Sequence, residues 1–230
     1  MWLVIIAAIA GCGRFGFGDR GPLDDATDAT NTDDAIDAAL PCVSANIIDE
    51  FTDGAADPLF ASYASTDMTI YEVNGQLVAS FAPSVGPGQY AGYDTVVRYP
   101  LEGLCVVLHV IAAPTTTALA YFKIRTFTGQ QIEFFEATDQ LMLRTHTGPA
   151  GSVVEDVLAL PFSLPSQAFW RLRNQAGTAY WDISSDGLAF TQLSAFPGVF
   201  TEPDVFIGVG AGAYTAATNA SPAIFESISW

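Results

Sequence analysis

Beyond about Ala45 the chain is built of short β-branched and aromatic runs, interrupted every few positions by Gly, Pro, Asn or Asp, with almost no helical periodicity. Such runs bury apolar surface by alternation, one side chain in and the next out, as a half-buried strand does. Strands are expected at 46–51, 68–73, 76–81, 89–99, 104–112, 117–126 and 131–135, then at 141–146, 153–158, 169–173, 178–184, 189–193, 205–210 and 223–230. Asn74-Gly75 joins the second and third, and this pair suits a two-residue hairpin turn. The set is too large for a minimal immunoglobulin-like sandwich and fits an all-β jelly roll of two curved sheets. With 50% hydrophobic and 14% charged residues, the chain has enough apolar material for a two-layer core.

The start of the chain differs. An apolar run from Trp2 to Ile9 passes directly into Ala10-Gly11-Cys12. This resembles the lipobox of bacterial lipoproteins, which are cut before the cysteine and acylated on its thiol. The resemblance implies a signal peptide at 1–11, lipidation at Cys12 and a membrane partner held through lipid alone. The run is about half the ~20 apolar residues a spanning helix needs. Gly13 follows the cysteine; in such lipoproteins an aspartate there tends to retain the protein on the inner membrane. The expected location is therefore the outer membrane of a bacterial envelope, periplasmic or surface-exposed.

Residues 12–41 form the next segment, rich in Asp, Ala, Thr and Asn, with seven aspartates between Asp19 and Asp37. Self-repulsion and the scarcity of apolar side chains predict a disordered tether. A flexible chain of about 28 residues spans roughly 30 Å. These aspartates, with Arg14 and Arg20, account for −5 of the formal charge of −17, leaving the domain at 42–230 strongly acidic as well. Nucleic acid is thereby excluded as a partner. No repeat, coiled coil or exposed apolar helix signals an oligomer, so a monomer is expected. With Cys12 acylated, Cys42 and Cys105 remain as an even pair in an exported chain. A disulfide between them closes a 63-residue loop, worth about 4 kcal/mol in the chain-entropy model; the alternative is two separate buried thiols.

Towards the C-terminus, Phe169-Trp170-Arg171-Leu172-Arg173, a turn at Gly177, Tyr180-Trp181-Asp182-Ile183-Ser184-Ser185-Asp186-Gly187, Val205–Gly210 and the closing Ile224–Trp230 form a recognisable series. It resembles the concanavalin A-like lectin/glucanase superfamily, whose tryptophan-arginine strand, S-x-D-G hairpin and final strand beside the first it reproduces. The resemblance implies a jelly-roll sandwich whose concave sheet is the usual glycan surface.

Alternation assigns faces. Phe122 and Ile124 oppose Tyr121, Lys123 and Arg125; Ile132 and Phe134 oppose Gln131, Glu133 and Phe135; Leu141 and Leu143 oppose Arg144 and His146. Likewise Trp170 and Leu172 oppose Arg171 and Arg173, and Trp181 opposes Tyr180 and Asp182. One side is core and the other mixes cations with aromatics, a composition suited to sugar rings and hydroxyls. The expected ligand face is Tyr121, Lys123, Arg125, Glu133, Phe135, Arg144, Arg171, Arg173, Tyr180 and Asp182. The alternative is a half-solvated sheet pairing its own charges across strands.

Hydrolysis by this fold needs two carboxylates about 5–9.5 Å apart. Glucanases of the superfamily set acids on one strand as E-x-D-x-x-E, whereas here Glu133 and Glu136 are three apart and point to opposite faces of a regular strand. The expectation is therefore a lectin-like envelope lipoprotein that binds polysaccharide without catalysis, not an enzyme. Its alternatives are a structural or protein-interaction lipoprotein and, last, a glycoside hydrolase. His109 is expected as a core histidine, His146 stands alone near a loop, and Gly208-Val209-Gly210-Ala211-Gly212 reads as tight strand packing or a bend. No cofactor is expected, apart from a structural calcium with Asp49, Glu50, Asp53 and Glu226 as weak candidates.

Overall fold

The computed structural model describes residues 47–229. The expected signal peptide, Cys12, the tether and Cys42 lie outside them. In chain order the strands begin with β1 Ile47–Asp49, β2 Phe60–Ala64, β3 Met68–Val73, β4 Gln76–Phe81, β5 Ser84–Val85 and β6 Gln89–Thr95. Next are β7 Tyr99–Pro100, β8 Cys105–Ala112, β9 Ala118–Arg125, β10 Gln131–Ala137, β11 Gln140–Thr147 and β12 Val153–Pro161. The series ends with β13 Phe169–Gln175, β14 Thr178–Ser184, β15 Thr191–Pro197, β16 Asp204–Ala213, β17 Ala217–Thr218 and β18 Ala223–Ser229.

Antiparallel pairing gathers these into the two-sheet sandwich expected from the sequence. The first sheet has the order β15-β14-β13-β8-β18-β4-β3, with β1 beside β18. The second has the order β12-β11-β10-β9-β16-β6-β2, with β7 against β16. The closing strand thus lies next to the first, and a two-stranded β5–β17 pair completes the set.

The apolar half of each alternation fills the space between the sheets. Trp170, Leu172 and Trp181 of the first sheet meet Phe122, Ile124, Ile132, Phe134 and Leu143 of the second, all fully buried. Trp170 packs on Phe134 at 5.6 Å between ring centroids. The Trp181 indole N–H crosses the sandwich to donate to the Glu133 carbonyl at 3.0 Å. Truncating a core aromatic of this kind typically costs about 3–5 kcal/mol.

Turn chemistry sets the registers. Asn74 and Gly75 both have positive φ, 53° and 72°, as a tight hairpin between twisted strands requires. The β10–β11 turn meets the same demand without glycine, at Thr138 (54°) and Asp139 (60°). There the Glu136 carboxylate accepts the Asp139 N–H at 3.1 Å.

Sequence and structure part company at the margins. β2 was not anticipated: Phe60-Ala61-Ser62-Tyr63-Ala64 is an edge strand paired, among the described residues, with β6, and Phe60 alone of its five residues is buried. The strand expected at 189–193 is displaced to 191–197, because the Asp186 carboxylate accepts the N–H groups of Leu188 and Ala189 and holds the preceding loop out of the sheet.

Candidate functional site

Rows of outward side chains cross the second sheet. One runs Arg144, Glu133, Lys123, Gly208, Asp94 over β11, β10, β9, β16 and β6. The next runs Met142, Phe135, Tyr121, Gly210, Gly92, Tyr63 and ends on β2. A third brings Leu119, Gly212 and Tyr90 together. The glycines are what let these rows lie flat. A Cβ at Gly208 would collide with Asp94 and Lys123, one at Gly92 or Gly210 with the Tyr121 hydroxyl, and one at Gly212 with the Tyr90 ring.

Above this floor lies a pocket of about 420 Å³, within the usual range for ligand sites. Its carboxylates are Asp94 and Glu133, its cations Lys123 and Arg125, and its aromatic walls Tyr63, Tyr90, Tyr121 and Tyr214, with Gln131 beside Glu133. Asp94 is held by Lys123 Nζ at 3.3 Å and Arg125 Nη2 at 3.0 Å. The Lys123 ammonium lies 5.0 Å from the Tyr121 ring centroid, and the Tyr121 and Tyr63 hydroxyls are hydrogen-bonded.

Glu133 is buried, 4% exposed, yet its carboxylate has three polar neighbours. Gln131 Nε2 donates to it at 2.8 Å, His146 Nε2 stands at 3.3 Å and Arg144 Nη1 at 3.9 Å. Arg144 is fixed in turn by Asp156 at 2.6 Å, the Tyr214 hydroxyl at 3.1 Å and the face of Phe135 at 4.3 Å. Burial, with Glu133 as the next cause, raises Tyr90 and Tyr214 above the ordinary phenol value. Burial also raises Tyr121. All three hydroxyls therefore stay protonated across the neutral range.

The ten residues expected on one ligand face divide between two. Tyr121, Lys123, Arg125 and Glu133 line the pocket, and Phe135 and Arg144 support it. Arg171, Arg173, Tyr180 and Asp182 lie on the outer face of the first sheet, across the sandwich from it. There Asp182, fully buried, accepts from Nε of both Arg171 and Arg173 at 2.8 Å, and Arg173 stacks on Tyr180 at 3.9 Å. Strand parity puts a residue inside or outside but does not say which sheet its strand joins.

Other expectations change as well. His109 is not a core residue: Val106, Leu108 and Val110 take the inward positions of β8, leaving its ring to stack on Phe169 at 4.0 Å and meet Glu226 at 2.6 Å. The calcium candidates do not assemble. Asp49 and Asp53 lie beside Glu72, Glu50 is exposed, and Glu226 is engaged by His109. Among the described residues no three His, Cys, Asp or Glu side chains form a metal-binding group. Glu133 and Glu136 do face opposite ways, since β10 pairs without a bulge. Tyr63, Tyr90, Asp94 and Tyr214 were missed; the Gly-x-Gly-x-Gly alternation of β16 was their one trace in the sequence.

No family model matches the chain, and no curated protein is similar to it. Solved structures are similar in fold. An endo-1,3-β-glucanase (laminarinase) catalytic domain from Thermotoga petrophila matches with a TM-score of 0.58 at 12% identity, covering 81% of this chain and 97% of that one. A β-1,3-1,4-glucanase (lichenase) from a mouse hindgut metagenome matches at 0.56 and 10%, covering 79% and 96%. The Bacillus licheniformis β-glucanase matches at 0.55 and 10%, covering 78% and 95%. These neighbours share the concanavalin A-like jelly roll and are glycoside hydrolases. They overturn two expectations: a sheet that binds carbohydrate without catalysis, and a chain that is not an enzyme. The pocket's two acids stand on different strands, β10 and β6, so no acid spacing along one strand reveals them.

Proposed function

We propose that this protein is a glycoside hydrolase acting on a β-linked glucan in the pocket of the second sheet, with Glu133 and Asp94 as its two carboxylates. The observation that carries this reading is the row across the pocket: Glu133 and Asp94 face one tyrosine-walled space on a sandwich whose structural neighbours are β-glucanases. The two acids are three strand spacings apart, about 14 Å between backbones at 4.7–4.9 Å per strand. A pair set this far apart fits the wider, inverting arrangement with water between the carboxyls rather than the adjacent retaining one.

Glu133 protonates the departing glycosidic oxygen. Asp94, oriented by Lys123 and Arg125, takes the proton of the attacking water. The tyrosine rings provide flat apolar contact for the sugar faces, and their hydroxyls donate to the ring substituents. The test is release of reducing ends from β-1,3- and mixed β-1,3-1,4-glucan. Wild type cleaves at least one of them, while Glu133→Gln and Asp94→Asn each lose about 10²–10⁴-fold in rate. A wild type inactive on every β-glucan, or a Glu133→Gln variant with full activity, would overturn the reading.

The enzyme would work at a bacterial envelope, anchored through acylated Cys12 and spaced from the membrane by the 12–41 tether. The lipobox-like Ile9-Ala10-Gly11-Cys12 and the Asp-rich composition support this. A disulfide joining Cys42 to Cys105 fits the same compartment.

A further inference from the structure

His146 has no part in the pocket wall, yet its Nε2 lies 3.3 Å from Glu133 Oε1. It occupies β11 directly opposite Gln131 and so stands diagonally behind Glu133, on the side away from Lys123. Its other neighbours are Val154, opposite it on β12, and Gly151, whose missing Cβ would sit 3.4 Å from the His146 Cβ. The charged groups facing this corner are Glu133 itself, Arg144 on β11 and the Asp156 that pairs with Arg144 from β12.

Three side chains thus surround the Glu133 carboxylate, and they differ in one chemical respect. The Gln131 amide donates a hydrogen bond and the Arg144 guanidinium offers a cation at 3.9 Å, but neither releases a proton near neutral pH. The imidazole alone both donates and exchanges. The His146 side chain also retains 25% exposure against 6% for that of Glu133, so the ring has an access to solvent that the carboxyl lacks.

We infer that His146 returns the proton to Glu133 after each cleavage, acting as a relay and positioning residue behind the carboxyl. This deepens the hydrolytic reading and rests on it. In the cycle the Glu133 carboxyl gives its proton to the glycosidic oxygen as the old C–O bond breaks. Water forms the new C–O bond at the anomeric carbon and loses its proton to Asp94. Glu133 is then a carboxylate and Asp94 an acid. The His146 imidazolium passes its Nε2 proton to Glu133 Oε1 and is recharged from bulk water, while Asp94 releases its proton to water, so atoms and charge balance.

The experiment measures kcat and KM on the cleaved glucan between pH 5 and 8 for wild type, His146→Gln, His146→Ala and His109→Gln. Glutamine keeps a donor to Glu133 but cannot exchange protons. His146→Gln is expected to hold KM within about twofold, to lose about 10²-fold in kcat and to lose the pH dependence that proton exchange through the ring gives wild type. Added imidazole restores part of the kcat of His146→Ala, a response no purely structural role would produce. His109→Gln, on the other sheet, keeps the wild-type profile. A His146→Gln enzyme with wild-type kcat and pH profile, or a His146→Ala enzyme indifferent to imidazole, would overturn the relay while leaving hydrolysis intact. An inactive wild type would remove both.

Discussion

Gly210 contributes nothing but room, and the pocket depends on it. An alanine there would push its Cβ into the Tyr121 hydroxyl, the Ala91 carbonyl and the Gly92 backbone. The first of these can rotate away; the other two are main chain in the adjoining strand. Gly210→Ala is therefore expected to cost about 1–3 kcal/mol in urea denaturation and to displace Tyr121 from the pocket wall, raising KM for the glucan. Denaturation and binding unchanged from wild type would show that the glycine floor is incidental. Such a role was half visible in the sequence: Gly208, Gly210 and Gly212 alternate with Val209 and Ala211, which places all three on one face, but nothing local reveals that Tyr121, Lys123 and Tyr90 lie over them.

Strands were legible because parity is a local property, and Phe122 against Lys123 declares an inside and an outside without reference to anything else. Sheet membership was not, because pairing is long-range. Arg171 and Arg125 have the same alternation around them, yet β13 joins β8 and β14 while β9 joins β10 and β16. Asp182 shows the consequence. It serves a buried ion cluster on the first sheet, and Asp182→Ala leaves two guanidinium groups without their shared anion. A loss of about 3–5 kcal/mol is expected from denaturation, with kcat on glucan unchanged in the folded fraction. The β10–β11 turn makes a smaller prediction. Thr138 is β-branched at φ 54°, a conformation such residues strongly disfavour. Thr138→Gly is expected to stabilise by about 0.5–1 kcal/mol, relief of the strain exceeding the entropy that glycine adds to the unfolded chain.

Two buried acids tie the sandwich as a body to pH. Burial pushes Glu72, near Asp49 and Asp53 and hydrogen-bonded by Tyr93, up to about 7. Burial does the same to Glu136, which is 1% exposed with one carboxylate oxygen unpartnered. In both, the folded value lies above the unfolded one near 4.5, so the native state holds more protons between the two. Stability is accordingly full below about pH 4.5 with respect to these groups and declines as pH rises through 7. Glu136→Gln is expected to gain roughly 1–3 kcal/mol over wild type at pH 8 and almost nothing at pH 4, read from denaturation midpoints at the two pH values. Hydrolysis itself is tested most directly by proton NMR of the anomeric region during the first minutes of β-glucan cleavage. The separation of Glu133 and Asp94 predicts new reducing ends that appear first as the α-anomer and mutarotate to β. Reducing ends born as the β-anomer, or none at all from the wild-type protein, would contradict cleavage by this pair.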